Sequence, residues 1–275
     1  MATEGTEKQA YQTNYLATLT NRNQVICRKN KNIRLKVIEK IKKKIASLTD
    51  GSVFRYRDVG IQPEEYAAAA KGFERLLKEG AISRVSTGVF FKPKKTPFGL
   101  LKPNESALLQ PYLFENNKRV AYITGTALYN KMGLTTQVPK NIKIASRNRR
   151  IVTSIGNIKI SPAKSYLDIT DDNFHLMELL DVLKDINKIP DSENSQTIQF
   201  ILKKVGALTS AEREKFIKIA GKYPPRVRAL AGAILNEKEP GKPVIELKKS
   251  INPLTAFNLG ITKKQLTNID YWHIH

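Results

Sequence analysis

Cysteine, histidine and long apolar runs are all scarce in this sequence of 275 residues. Cys27 is the only cysteine, which excludes an intrachain disulfide and a metal site built from several thiolates. No apolar run approaches the roughly 18 residues that cross a bilayer, and the first residues, "MATEGTEKQAYQTNY", lack the basic-then-apolar order of a signal peptide. We therefore expect a cytoplasmic protein with no membrane partner.

Residues that usually carry catalysis are also sparse. The three histidines are His175, His273 and His275, and the last two form a His-x-His pair on a chain end that we expect to be loose, which does not make a catalytic metal site. The sequence contains neither a Gly-rich phosphate loop nor a nucleophile elbow. We therefore predict a protein that is not an enzyme and that uses no cofactor and no metal.

Two acidic patterns leave a metal-dependent alternative open. Glu239 precedes Glu246 and Lys248 in an order faintly like that of metal-dependent nucleases, in which two carboxylates hold a metal that activates water. The pattern is short and lies in a predicted linker, so a chance occurrence is favoured. A cluster of aspartates could similarly bind magnesium, although capping of the next helix by Asp171 or Asp172 explains it more simply: Asp168, Asp171 and Asp172.

The net charge of +22 is concentrated in two blocks. Residues 22–44 hold ten Lys and Arg against one acid, and residues 116–167 hold ten with no acid. Such concentration suggests two electropositive surfaces, for which nucleic acid is the commonest partner; a basic protein without such a partner is the alternative. Residues 168–193 reverse the pattern with eight acids and two lysines, which would neutralise a neighbouring surface or bind a basic partner.

Residues 33–97 predict a winged helix-turn-helix. "IRLKVIEKIKKKIASL" has Ile38, Ile41, Ile45 and Leu48 at helical spacing with lysines on another face. A second helix runs from about Pro63 to Glu79, and "AISRVSTGVFFKP" predicts a hairpin. Helix, connector, helix and hairpin follow in the order of this DNA-binding motif. Residues 1–32 are predicted to form a basic flexible arm.

The second helix would present one face to DNA. An apolar stripe is predicted to be buried: Tyr66, Ala69 or Ala70, Phe73, Leu76 and Leu77. The opposite stripe is small and basic: Ala68, Lys71, Arg75 and Lys78. Small side chains let a helix approach base edges, and alanine can touch a thymine methyl while cations reach phosphate or guanine. The alternative is an alanine-rich helix packed closely on its neighbour, and the acids Glu64 and Glu65 count against groove entry.

Residues 98–240 predict a second, mixed α/β domain with additional helices, so the fold class is α+β. Strands are expected in "RVAYIT", "NIKIAS", "RRIVTSI" and "IKISPAK", the last two joined at Gly156-Asn157. Helices are expected near residues 105–114, in "GTALYNKMG", near 176–186, and three times between 195 and 235. "NEKEPGKP" is a predicted linker, which leaves residues 241–275 as a C-terminal appendage.

Several stretches resemble the AbiEi family of antitoxins from type IV toxin–antitoxin systems, over roughly residues 33–200: "GVFFKP", "FGLLKP" and "AYITGTALYNKMGLTTQVPKNIKIAS". The most specific piece is Gly125-Thr126-Ala127 followed by "GLTTQVP" at 133–139. The resemblance implies a winged helix that binds inverted repeats in double-stranded DNA of its own promoter and represses the operon. It also implies a C-terminal domain that counters a nucleotidyltransferase-type toxin without a stable complex.

The resemblance further implies which residues contact DNA: Lys71, Arg75 and Lys78 of the second helix, Arg84 of the wing, and Arg55 and Arg57 on the phosphate backbone. It covers neither the arm before residue 33 nor the segment after Lys242. The rival interpretation is a winged-helix transcriptional regulator with a ligand-sensing C-terminal domain and no toxin partner.

Two features of the second domain are candidate ligand sites. Gly125 and Gly133 bracket a short helix, and we favour a turn stabilised by its own side chains over a ligand site for residues 135–137 behind it. Three arginines lie within four positions: Arg147, Arg149 and Arg150. Their positive charges repel one another unless an anion is bound, so this cluster predicts a secondary anion or nucleic-acid surface. The alternative is a solvated strand edge blunted by charge.

Overall fold

A computed structural model describes residues 35–97, 99–101, 103–155, 157–238 and 244–275, without the side chain of Lys95. The fold is mixed α+β, and the chain divides into two compact units, Met1–Pro111 and Tyr112–His275. The predicted arm at residues 1–32 lies outside the described residues. The division falls within a helix, Glu105–Leu113, whereas the sequence analysis placed a boundary after Pro97.

Unit 1 consists of helices and short antiparallel strands. The elements are α1 (35–47), β1 (Val53–Arg55), 3-10 turns at Arg57–Val59 and Pro63–Glu65, α2 (Tyr66–Lys78), β2 (Ser83–Ser86), β3 (Val89–Phe91), β4 (Lys94–Thr96), β5 (Gly99–Leu101) and α3 (Glu105–Leu113). Strands β1, β3 and β2 form one sheet in the order β1-β3-β2, and β2 and β3 form the predicted hairpin. Gly80, at φ +68°, ends α2 in a backbone conformation that favours glycine.

The core of unit 1 lies between α1, α2 and the three-stranded sheet. The rings of Phe73 and Phe90 stack with centroids 4.6 Å apart, and Phe54 lies 6.3 Å from Phe73. Helix α1 contributes an apolar stripe at helical spacing: Val37, Ile41 and Ile45. The predicted stripe was rotated slightly, because Ile38 is only half-buried.

Gly72 allows α1 and α2 to approach closely. A Cβ atom at this position would lie 3.2 Å from Cγ1 of Ile38 and 3.4 Å from Cδ1 of Ile41, which is tighter than most side-chain contacts. Ala69, one turn earlier, is fully buried. Small residues therefore occupy the buried side of α2 where α1 crosses it.

Unit 2 consists of a four-stranded sheet, a small two-stranded hairpin (residues 114–119) and a helical bundle. The elements are β6 (Phe114–Glu115), β7 (Lys118–Arg119), β8 (Ala121–Thr124), α4 (Thr126–Lys131), β9 (Asn141–Ser146), β10 (Thr153–Ile155), β11 (Ile158–Lys164), α5 (Phe174–Lys184), α6 (Asn194–Gly206), α7 (Ser210–Ala220), α8 (Pro225–Lys238) and α9 (Ile245–Lys249). The strand order is β10-β11-β9-β8. β9 and β11 are parallel, and the other two pairs are antiparallel.

Strand β11 continues beyond the residues that pair with β10, and Pro162 lies in this continuation. Strand β10 pairs only with residues 158–160 of β11, while Pro162 lies opposite Ile144 of β9. Proline lacks an amide hydrogen, so it is tolerated where a ladder has ended on one side. The end of β11 is therefore uncovered by β10 and helps to line a surface pocket described below.

Segment 244–275, predicted to be part of an appendage, belongs to the core of unit 2. Trp272 and Ile274 are fully buried, and the indole of Trp272 lies so close to Gly232 of α8 that a Cβ there would be 2.1 Å from it. The chain end is not loose, because the amide of His275 donates to the carbonyl of Phe257 at 2.9 Å.

Helix α5 is not capped by either aspartate proposed for that role. It begins at Phe174 with Asn173 in the N-cap position, and Oδ1 of Asn173 accepts from the amide of Thr170 at 2.9 Å. Asp171 instead pairs with Arg119, with Nε and Oδ1 2.8 Å apart. The capping prediction was wrong because this tertiary ion pair holds the carboxylate away from the helix end.

Candidate nucleic-acid interface

The four consecutive alanines of α2 face different directions. Ala69 is fully buried, Ala68 is half-buried against the unit 1 core, and Ala67 and Ala70 are exposed. Successive residues of an α-helix differ by about 100° around its axis, so one residue of error moves a side chain to another face. The leading methyl groups are therefore those of Ala67 and Ala70, and Ala68 lies on the flank of the predicted stripe.

Three cations of α2 extend into solvent, and two of them are paired along the helix. Lys71 is exposed. Arg75 Nε lies 2.7 Å from Glu79 Oε1, and Lys78 Nζ lies 3.3 Å from Glu74 Oε1. All four paired side chains are more than two-fifths exposed, and such surface pairs contribute little, which allows exchange for a phosphate. Glu74, on the same face, is an acid that the predicted stripe did not include.

Glu65 is turned toward the protein rather than toward a ligand of the α2 face. Its Oε2 accepts from the backbone amide of Gln62 at 3.0 Å and from Nζ of Lys40 at 2.9 Å. These bonds, the Gln62 amide foremost, lower the pKa of Glu65. Of the two acids that counted against groove entry, only Glu64 still does so, because its side chain is exposed.

Tyr66 was predicted to be buried, and that prediction was wrong. The side chain is 45% exposed, and its ring centroid lies 5.7 Å from that of Tyr56. Tyr66 is the first residue of α2. An exposed aromatic ring thus lies on α2 in the turn that also carries the exposed Ala67 and Ala70.

The β2–β3 hairpin carries the predicted wing residue. Arg84 is exposed, with its guanidinium carbon 5.9 Å from the ring centroid of Phe90. The strand has an irregular register between Arg84 and Ser86. Of the two cations near β1, Arg57 is exposed and Arg55 is half-buried.

A basic groove lies between α1 and the 3-10 turn at Arg57–Val59. Its volume is about 560 Å³. Four cations and one acid contribute to its lining: Lys40, Lys43, Lys44, Arg57 and Asp58. The spacing of the lysines along α1 signals a charged helix face, but the sequence does not reveal that the turn folds against it.

The three arginines at the end of β9 have different surroundings. Arg147 and Arg150 are exposed and Arg149 is half-buried. Nη2 of Arg149 donates to the carbonyl of Tyr112 at 3.1 Å, and its Nη1 lies 3.8 Å from Oε2 of Glu115. These arginines line a common pocket.

The loop behind α4 matches the interpretation of a side-chain-stabilised turn. The amide of Gln137 donates to Oγ1 of Thr135 at 3.2 Å, and Nδ2 of Asn130 donates to the carbonyl of Thr135 at 3.2 Å. Gly125 and Gly133 bracket the helix at φ +70° and +74°. Thr135 is buried, so its hydroxyl serves the loop itself.

A buried polar cluster joins β8 to α5, and sequence reasoning missed it. The Asp181 side chain is fully buried. Its Oδ2 accepts from Oγ1 of Thr124 at 2.6 Å and from the hydroxyl of Tyr122 at 3.0 Å, while Oδ1 accepts from Nζ of Lys184 at 2.6 Å. Burial first, and the carboxylate second, raise the pKa of Tyr122 far above its ordinary value, so this hydroxyl remains a donor.

Glu178 lies one turn before Asp181 on the same helix and is 8% exposed. Burial raises its pKa from the ordinary 4.5 to about 6. The charges of Lys131 and Arg119 oppose this shift, and Asp181 adds to it. The acids at 178 and 181, which recur at helical spacing among leucines, were the available sequence signal.

The nuclease-like pattern is only partly within the described residues, since Glu239 lies outside them. Lys248 donates to the carbonyl of Tyr271, with its ammonium 4.7 Å from the Tyr271 ring centroid, so it is engaged with the C-terminal segment. Within the described ranges, no group of three His, Cys, Asp or Glu has an arrangement that could hold a metal ion. Nor, in that same part of the chain, is any helix long and apolar enough to span a bilayer.

A family model described as DUF6088, a family of unknown function, matches residues 40–209. No curated protein matches the sequence. Among solved structures, the chain is similar to the crystal structure of the RV2827C protein from Mycobacterium tuberculosis, with 10% sequence identity and a TM-score of 0.45. That match covers 79% of this chain and 82% of the other. Because the family model matches more than half of its length, the chain belongs to the DUF6088 family.

Proposed function

We propose that this protein is a non-enzymatic DNA-binding antitoxin of the AbiEi type. Unit 1 is proposed to be a winged helix-turn-helix that binds inverted repeats in its own promoter, with α2 as recognition helix and the β2–β3 hairpin as wing. Unit 2 is proposed to counter a nucleotidyltransferase-type toxin without a stable complex. The observation that carries the DNA-binding proposal is the exposed face of α2, where Ala67 and Ala70 are followed by the exposed Lys71 and, two turns further on, by Lys78.

The order of elements supports this proposal. Helix, strand, turns, helix and hairpin follow one another, and the sheet order β1-β3-β2 places the first strand against the hairpin, as in winged helices. In this proposal, the two 3-10 turns between β1 and α2 would take the place of the usual middle helix. The strongly exposed cations of α2 and of the hairpin then belong to consecutive elements.

The chemistry of the α2 face suits a major groove. Small side chains at Ala67 and Ala70 would let the backbone approach base edges, and Lys71 would reach guanine or phosphate. The α1 groove, Arg84 of the hairpin and Arg57 would supply phosphate contacts that fix the register without reading sequence. Lys78 partly neutralises Glu74, which reduces the repulsion that this acid would exert on a phosphate.

A mobility-shift titration tests the proposal, with duplex from the region upstream of the gene compared with random duplex. Lys71→Ala with Arg75→Ala is expected to weaken operator binding by about fivefold or more for each base contact that the variant loses. The salt slope should fall by about one for each phosphate that the variant no longer neutralises. Lys203→Ala with Lys222→Ala removes the same charge from exposed sites of unit 2 and should leave operator binding nearly unchanged. Equal weakening by both pairs would contradict a specific role for α2.

Salt dependence provides a second test of the same mechanism. If about six to ten phosphates are contacted, affinity should fall by about 10³ to 10⁵ between roughly 50 and 200 mM salt. An operator affinity that does not change with salt would exclude binding through phosphate contacts.

A second candidate is a winged-helix transcriptional regulator whose unit 2 senses a ligand. The basic pocket at the end of β9 favours this candidate, because it offers a site for a small anion. Co-expression with the adjacent gene distinguishes the two. Rescue of growth from a nucleotidyltransferase-like neighbour supports the antitoxin, whereas a harmless neighbour and a small molecule that releases operator DNA support the regulator.

A further inference from the structure

A surface pocket of about 430 Å³ opens at the end of the four-stranded sheet of unit 2. Ser146 of β9 and Lys164 of β11 are register partners at that end, and residues 147–150 follow directly from β9. Because the pairing of β11 with β10 stops at Ile160, opposite the first residue of β10, the last residues of β11 are uncovered on that side. Its lining includes Ser146, Arg147, Arg149, Arg150, Pro162 and Lys164.

The lining of this pocket is strongly cationic. Three arginines and one lysine contribute to it, and it contains no carboxylate among the described residues. Glu115 is near one of them, 3.8 Å from Nη1 of Arg149. Like charges gathered in a concavity repel one another and raise the local concentration of anions. An anion in the pocket would relieve that repulsion.

Two of the arginines are held in place by main-chain acceptors. Nη1 of Arg147 donates to the carbonyl of Tyr166 at 2.6 Å, and Nη2 of Arg149 donates to that of Tyr112 at 3.1 Å. A guanidinium carries five N–H donors, so such a bond leaves further donors on the same group. A side chain that is already ordered loses less conformational freedom when a ligand binds.

We propose that this pocket binds a phosphate group. The planar fork of arginine matches two phosphate oxygens at once, and Arg is preferred over Lys for such recognition. The volume lies within the range of pockets that take small ligands. The phosphate could belong to a free nucleotide or to a nucleic-acid backbone, and the same donors serve both. The inference uses residues of unit 2 alone, so it does not depend on DNA binding by α2.

Calorimetric titration of the full chain with ATP, and a mobility shift with random duplex DNA, test the pocket in separate arms. Arg150→Ala with Lys164→Ala should weaken binding by about tenfold or more in the arm that supplies the natural phosphate. Both side chains are exposed, so the fold should survive, which circular dichroism checks. Lys203→Ala with Lys222→Ala is the matched control, and Arg150→Lys, which keeps the charge without the fork, should give an intermediate loss.

Loss confined to the ATP arm supports the site and assigns it to a small ligand. Loss confined to the DNA arm supports the site and assigns it to a nucleic-acid backbone. Equal affinities for the pocket pair and the control pair in both arms, or no binding by the unmodified chain in either, overturns the inference. The α2 proposal is tested by a different experiment, the binding of the Lys71→Ala, Arg75→Ala variant to operator DNA, so the two proposals can fail independently.

Discussion

At the scale of single residues, the helical core of unit 2 contains two acids with different surroundings. Asp181 is fully compensated by the donors of Tyr122, Thr124 and Lys184. Glu178, on the same helix, is nearly as buried, and among the described residues the charges of Lys131 and Arg119 are what favour its ionised form. A buried carboxylate with direct donors supports folding, whereas one without them opposes it when ionised.

Glu178→Gln is therefore expected to stabilise the protein near neutral pH and not in acid. The pKa of Glu178 is raised in the folded state, to about 6 from an ordinary 4.5. Below the lower value the group is protonated in both states, and above the higher value the folded state carries the full penalty, about 2 kcal/mol. Stability should thus fall as pH rises between these two values, and the glutamine variant should not share that fall.

Urea unfolding at about pH 7.5 and about pH 4 checks this expectation, since the difference between variant and unmodified chain should be largest at the higher pH. Glu214→Gln on α7, whose side chain is exposed, is the control and should show no such difference. A glutamine variant that is less stable at the higher pH would mean that Lys131 and Arg119 outweigh the burial of Glu178.

Gly232 is a position where even a methyl group does not fit. A Cβ there would lie 2.1 to 2.6 Å from ring atoms of Trp272, and that ring is fully buried, so it cannot move aside without disrupting the core. Gly232→Ala should destabilise the protein by about 3 kcal/mol or more, as measured by thermal unfolding followed by calorimetry.

Gly206→Ala on α6 is the matched control for that substitution. Its Cβ would meet only the flexible end of Lys238, at 3.4 Å, and alanine in a helix should leave stability unchanged or raise it by up to about 1 kcal/mol. Equal melting temperatures for the two variants would refute the packing of Trp272 on α8.

At the scale of elements, α2 shows how much depends on helix rotation. Ala69 and Ala70 are neighbours in sequence, yet one is fully buried and the other is exposed. Ala69→Leu should overpack the core and destabilise unit 1 by about 1–3 kcal/mol. Ala70→Leu should leave stability nearly unchanged and weaken operator binding, because the larger side chain holds the helix away from the bases.

Ala46→Leu, at an exposed position of α1, is the control for added apolar surface. Calorimetry measures the change in stability, and the operator mobility shift measures the change in DNA binding. If Ala70→Leu bound the operator as tightly as the unmodified chain, the α2 face would not be the one that enters a groove.

The elements themselves were largely predictable, and their faces and partners were not. Helices α5 to α8 and the two predicted hairpins follow from local periodicity and turn residues. The rotation of α2 was off by one position at Ala68, because a run of alanines has no hydrophobic pattern to fix it. The bonds of Asp181 join residues 57 and 59 positions apart, and Trp272 lies in a single 3-10 turn, Asp270–Trp272, which is too short to show a hydrophobic period. Both depend on tertiary contacts.

At the scale of the whole molecule, two compact units divide the proposed work. The cationic groove and the α2 face belong to Met1–Pro111, and the phosphate pocket belongs to Tyr112–His275. A chain that ends at Leu113, the last residue of α3, should therefore keep weak, salt-sensitive binding to operator DNA while failing to rescue growth in co-expression.

A mobility shift and the co-expression assay check this division, with circular dichroism to establish that the shortened chain is folded. A folded short chain that rescues growth would move neutralisation into unit 1. A folded short chain that does not bind DNA at low salt would contradict the proposed role of α2 in DNA binding.

The placement of the only tryptophan gives the molecule a built-in optical reporter. Trp272 is enclosed by apolar side chains of unit 2, so its indole emission should shift toward longer wavelength when that unit opens. Unit 1 contains tyrosine but no indole. Selective excitation of the indole would therefore follow the melting of one unit alone, and comparison with circular dichroism would reveal whether the two units unfold together or in turn.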